Sequence, residues 1–118
     1  MTEADLMRSC QLAATQNGAR LFRNNVALAW VGKLAPGYPK RGDVLLLNAR
    51  PLHAGLAVGS GDLIGLGSHG RFLSIETKIK GRRPTPEQTA WCEMVLRLGG
   101  VAGTAYSIEQ ALALIAGA

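Results

Sequence analysis

The sequence predicts an α/β fold, a mixed central β-sheet flanked by α-helices, and three observations predict it. Three segments with apolar residues at helical spacing each begin at a Ser or Thr that can cap a helix. Between them lie short apolar or alternating segments bounded by Gly, Pro and Asn, which is strand and turn chemistry. The resulting order is helix, strands, helix, strand, helix, with no internal repeat and no linker to divide residues 1–118. Covering both faces of one sheet is the economical packing of such elements, so a single domain is expected.

Each element has its own signal. Thr2 and Asp5 make a capping-box pair, and the helix they open runs to about Gln16 with Leu6, Cys10, Ala13 and Ala14 as its inner stripe. Asn17 and Gly18 supply the stop. Residues 19–25 read as a strand. Residues 26–39 carry Gly32, Pro36, Gly37 and Pro39 and read as a loop or an irregular hairpin, followed by a short strand over 43–48. A Gly-rich passage, 55–70, holds a short strand at 63–66, and the alternating strand 71–80 should pair with it as a hairpin. Thr85, Pro86 and Gln88 open a second helix, whose stripe is Trp91, Met94, Val95 and Leu98. Gly99 and Gly100 end it. Residues 101–106 form the last strand, and Ser107 with Gln110 caps a third helix bearing Ile108, Ala111, Leu112 and Ile115.

Composition narrows the class of protein. A chain of 118 residues with 47% hydrophobic content suits one core, and no apolar run approaches the roughly 18 residues of a membrane span. The N-terminus lacks a signal-peptide pattern, so a soluble, cytoplasmic protein with no membrane partner is expected. Cys10 and Cys92 have no Cys or His neighbours at ligand spacing and read as reduced, buried thiols. Thirteen basic against eight acidic residues give +5, and the pI is about 9.8. The basic residues are spread over the middle of the chain, which fits a folded face for a polyanion as well as a merely basic surface. GLGSHG, from Gly65 to Gly70, matches GxGxxG by letter, but it leads into a strand instead of opening a helix, so no nucleotide cofactor is expected. His53 and His69 are isolated and read as surface residues.

The chemistry concentrates on the strand 71–80. Alternation puts Leu73, Ile75, Thr77 and Ile79 on one face and Phe72, Ser74, Glu76, Lys78 and Lys80 on the other. By itself the Glu76/Lys78 pair reads as a surface ion pair contributing about 0.2 to 1 kcal/mol. Asp62 changes this, because it starts the preceding strand of the same hairpin and is brought beside Glu76. Two neighbouring carboxylates repel unless a cation lies between them, and such oxygen donors suit Mg²⁺. A Lys beside that centre can orient an attacking water and stabilise charge on phosphate oxygens.

Gly61 and Asp62, then Glu76, Thr77 and Lys78, resemble the PD-(D/E)XK nuclease signature, with Gly where the family name has Pro. GSGDLIG at Gly59 to Gly65, FLSIETK, GRRPTPEQTAW at Gly81 to Trp91 and the Gly99 Gly100 pair resemble the VRR-NUC branch of that superfamily, in its stand-alone phage or bacterial form. Glu3 and the run RNNV from Arg23 to Val26 extend the likeness to the N-terminal half. The resemblance implies a restriction-endonuclease-like core in which Asp62, Glu76 and the Thr77 backbone carbonyl hold Mg²⁺ or Mn²⁺ and Lys78 is catalytic. It also implies a homodimer acting on branched DNA, most sharply a Holliday-junction resolvase, and 5′-phosphate products.

Other residues carry two readings. Glu3 serves the helix dipole or, lying in line with Leu6, Met7 and Cys10, faces the sheet and reaches the metal through water, the role the family pattern favours. Gln88 completes the cap of Thr85, or is aimed over Glu76 and Lys78 as part of the catalytic group, or does both. Arg20, Arg23, Lys80, Arg82 and Arg83 are expected to grip DNA phosphates, at least in part, against a reading as charged turns. Alternatives to a junction-cutting nuclease are a flap or nicking nuclease working with a repair or replication partner, a non-catalytic basic DNA-binding module, and a small interaction domain that docks a partner through the apolar loop at 26–31.

Overall fold

The helix starts fall where side-chain caps place them. A computed structural model, describing residues 1–118, contains α1 (Glu3–Gln16), β1 (Arg20–Arg23), β2 (Ala27–Leu34), β3 (Leu46–Ala54), β4 (Leu63–Leu66), β5 (Phe72–Thr77), α2 (Pro86–Arg97), β6 (Val101–Ala105) and α3 (Ile108–Gly117). Thr2 and Thr85 each accept a hydrogen bond from the third helical amide, and the Asp5 and Gln88 side chains return one to the cap backbone. Ser107 accepts from the Gln110 amide at the start of α3. After α1 the chain reverses through Gly18 at φ +78°, a conformation that favours glycine.

Four strands form a mixed sheet in the order β1-β4-β5-β6. β4 pairs antiparallel with β1 and with β5, and the crossover through α2 lays β6 parallel to β5. α1 and α3 pack on one face and on each other, while α2 reaches the opposite face, where Trp91 Nε1 donates to Ser74 Oγ. The architecture is therefore mixed α/β with three helices on a mixed sheet. Leu6, Cys10, Leu21, Leu63, Leu73, Ile75, Ala111 and Ile115 belong to the fully buried core between the sheet and the α1/α3 pair. Because helices cover both faces, β5 is buried along Leu73–Thr77 and not only on alternate residues. No helix is long and apolar enough to cross a membrane.

Several expectations need correction. Of the two readings of residues 26–39 the irregular hairpin is the nearer, but it is longer than expected: β2 pairs antiparallel with β3, with a register shift between Val31 and Lys33. Gly32 sits at that irregularity, where a Cβ would lie 2.8 Å from the Leu47 carbonyl oxygen. β3 starts and ends later than the expected 43–48. β5 stops at Thr77, short of the expected Lys80, and Ile79, grouped by alternation with Leu73 and Ile75, is exposed where they are buried. Leu98 is 74% exposed, since α2 has ended at Arg97 and only Val95 of its expected stripe is fully buried.

The hairpin projects from the body as an arm. β2 and β3 pack chiefly against each other, and the molecule measures 49 × 31 × 28 Å. Its radius of gyration is 16.7 Å, whereas a compact chain of this length has about 13.5 Å.

Candidate metal centre

Register brings the two carboxylates together. Leu63 pairs with Ile75 in the antiparallel β4/β5 ladder, so the next position outward sets Asp62 opposite Glu76. Asp62 is fixed by β5: its Oδ2 accepts from the Thr77 amide at 3.1 Å and from Thr77 Oγ1 at 3.0 Å. Glu76 is only 7% exposed. Its Oε1 accepts from Gln88 Nε2 at 2.9 Å and lies 3.7 Å from Lys78 Nζ.

Burial, followed by the negative charge of Asp62, pushes the Glu76 carboxyl up to about 7, with the Lys78 ammonium pulling the other way. A single lysine thus does not neutralise the pair. The remaining demand for positive charge fits a hard divalent cation, which is bound through one or two carboxylates with water and substrate phosphate completing the shell. No three His, Cys, Asp or Glu side chains converge, so the donor set is this pair alone with backbone and solvent oxygens.

The pair opens into a cleft of about 570 Å³ lined by Asp62, Glu76, Gln88, Arg23, Asn24 and Met7 among others. Gln88 completes the cap and also reaches Glu76, because its Oε1 accepts from the Thr85 amide while its Nε2 donates to Glu76 Oε1. Lys78 lies next to Glu76 but, with Lys80, lines a smaller adjoining hollow of about 120 Å³ near Thr2, Leu6 and Tyr106. Arg23 reaches the cleft. Arg20 does not, since three positions along a strand reverse the face and its partner is Leu66 at the far end of β4. Arg82 and Arg83 are exposed on the turn after β5, held there by a hydrogen bond from Tyr106 Oη to the Arg82 carbonyl.

Glu3 is not on the inner stripe. It is exposed and outside the cleft lining, because the buried stripe of α1 begins one turn later at Leu6. His53 and His69 are exposed, as expected.

Sequence reasoning missed the polar supports. Ser74 Oγ accepts from the Gly61 amide at 3.2 Å and from Trp91 Nε1 at 2.9 Å. A Cβ on residue 61 would approach Ser74 Oγ to 2.6 Å. Glycine is therefore required here for close approach as well as for its N–H, which a proline would lack. The signal available was that Ser74 shares a strand face with Glu76. Asn24, also buried, lay within the quoted RNNV run but showed no role by spacing.

The chain matches no family model and no curated protein sequence.

Proposed function

We propose that the protein is a metal-dependent endonuclease that hydrolyses DNA phosphodiester bonds on a restriction-endonuclease-like core. The observation that carries this is the pairing of half-buried Asp62 with buried Glu76, incompletely compensated by Lys78, in the lining of a cleft that also holds Arg23. The resemblance of the Gly61-Asp62 and Glu76-Thr77-Lys78 segments to the PD-(D/E)XK signature, and of the longer runs to its VRR-NUC branch, supports the same reading. Asp62 and Glu76, with the Thr77 carbonyl, would hold Mg²⁺ or Mn²⁺. Bound there, the cation supplies Lewis acidity toward a phosphate oxygen and lowers the pKa of a water. Lys78 orients the attacking water and balances charge gained by the phosphate, Gln88 keeps Glu76 turned to the site, and Arg23 anchors a neighbouring phosphate.

Branched DNA, with the Holliday junction as first choice, is the substrate in this reading, and a homodimer supplies the two sites that opposed cuts need. The arm supports a second copy as its occupant. Leu28 and Trp30 are 56% and 58% exposed, and a lone two-stranded hairpin is marginal in water. Of the 33 residues from 26 to 58, 28 are exposed, comparable with the roughly 20–30 residues per side of a stable interface.

The test is cleavage of four-way junctions, flaps and nicked duplexes with Mn²⁺ by wild type and Lys78→Ala, with solution mass measured alongside. Cleavage of the junction by wild type alone is expected. Salt-sensitive DNA binding that survives Asp62→Ala, with no cleavage of any substrate, would make the protein a DNA-binding module instead.

A further inference from the structure

We infer that Asn24 is a positioning residue that fixes the Asp62 carboxylate, an inference that deepens the metal-centre reading and rests on it for its functional consequence. Asn24 follows β1 and is 7% exposed. Its backbone amide extends the β1/β4 ladder by donating to the Asp62 carbonyl at 2.8 Å. Its side chain then reaches along the same loop, with Nδ2 donating to Ser60 Oγ and to the Gly61 carbonyl, each at 2.8 Å. Oδ1 accepts from the Leu56 amide at 3.1 Å, where the chain returns from the arm. Two successive carbonyls, Gly61 and Asp62, are thereby held by one residue.

The other side of the loop is held by β5, through Ser74 to the Gly61 amide and through Thr77 to Asp62 Oδ2. Asp62 thus sits between two clamps, and only the β5 clamp touches its carboxylate. The Asn24 clamp sets the backbone from which that carboxylate projects. Because both Nδ2 hydrogens of Asn24 are already engaged, the side chain has no donor left for a substrate phosphate although it lines the cleft. Its contribution runs through Asp62, as partners one step removed from a metal orient the ligands themselves. Ser60 belongs to the same clamp: its hydroxyl donates to the Ala57 carbonyl at 2.7 Å and so braces the loop that Asn24 grips.

The experiment is residue-resolved amide hydrogen exchange on metal-free wild type, Asn24→Ala and Ser60→Ala, followed by Mn²⁺ titration calorimetry and cleavage kinetics on the same proteins. Loss of the clamp is expected to lower protection of the Thr77 amide, whose acceptor is Asp62, by about tenfold in Asn24→Ala, while the Lys78 amide, bonded to the Ala105 carbonyl, keeps its protection. Mn²⁺ affinity should fall roughly 10-fold or more with the KM for DNA unchanged. A purely structural role would lower protection across β5 and β6 together, and that result, or an unchanged Thr77 amide, overturns the inference. If Asn24→Ala does not fold, Ser60→Ala carries the comparison, and the same selective loss at Thr77 is required of it in smaller degree. Wild type that binds Mn²⁺ but cuts no DNA refutes the nuclease reading and leaves the exchange result to decide the role of Asn24.

Discussion

Replacing Glu76 by Gln isolates the electrostatic cost of the carboxylate pair. In the folded protein Glu76 titrates at about 7 against an ordinary value of 4.5, and each unit of difference is worth 1.36 kcal/mol, so the charged form costs about 3 kcal/mol. Its folded pKa is raised, so the folded state binds the extra proton. The associated stability is complete below about pH 4.5 and is lost as pH rises through about 7. A Gln at 76 copies the protonated acid: its oxygen can accept from Gln88 and its amide can donate toward Asp62. Urea midpoints of wild type should fall relative to Glu76→Gln by the equivalent of about 3 kcal/mol between pH 4.5 and 8, with the other carboxylates cancelling in the comparison. Adding Mn²⁺ at pH 8 to ten times its dissociation constant should return about 1.4 kcal/mol to wild type only. Parallel pH profiles for the two proteins would refute the claim that Glu76 is a buried, incompletely compensated acid.

Three other substitutions test separate parts of the structure. Lys78→Ala should lower kcat for DNA cleavage by roughly 10²- to 10³-fold with little change in KM, measured at saturating Mn²⁺. Gly61→Pro, which would copy the letter of the signature that this segment resembles, should destabilise by about 2 kcal/mol or more in urea titrations, because it removes the N–H that Ser74 accepts and adds a Cβ where Ser74 Oγ stands. Trp30→Glu should convert a dimer to a monomer in light scattering without moving the near-ultraviolet signal of Trp91, since Trp30 lies on the arm and Trp91 packs edge-to-face on Phe72 in the body.

Helix starts were legible because a cap is a local contract between residues three apart: Thr2 with Asp5, Thr85 with Gln88, Ser107 with Gln110. The β4/β5 hairpin, and with it the meeting of Asp62 and Glu76, was legible because sequential strands separated by a turn pair with one another. The arm was not. Alternation marks a strand only when one face is buried, and β2 and β3 lie on each other with both faces open, so Leu28, Trp30, Val31 and Leu52 follow no period. The burial of Glu3 was misjudged for a related reason: helical spacing aligns it with Leu6 and Cys10, but alignment does not say where along the helix the sheet begins to cover it.

The Gln88 side chain shows how a local signal can conceal a distant one. A capping box needs an acceptor at its third helical position, and either Glu or Gln would serve. Glutamine differs in having a second end, and with its oxygen committed to the Thr85 amide the remaining NH₂ has to be a donor; the donor meets Glu76. The same cap that starts α2 therefore fixes which charge the site can tolerate beside it. Gln88→Glu keeps the box but replaces that donor with a carboxylate, giving Asp62 and Glu76 a third negative neighbour. Metal-free stability at pH 8 should fall by about 1–2 kcal/mol, while added Mn²⁺ should recover more stability than it does in wild type. Equal losses with and without Mn²⁺ in urea titrations would mean that Gln88 acts on the helix alone.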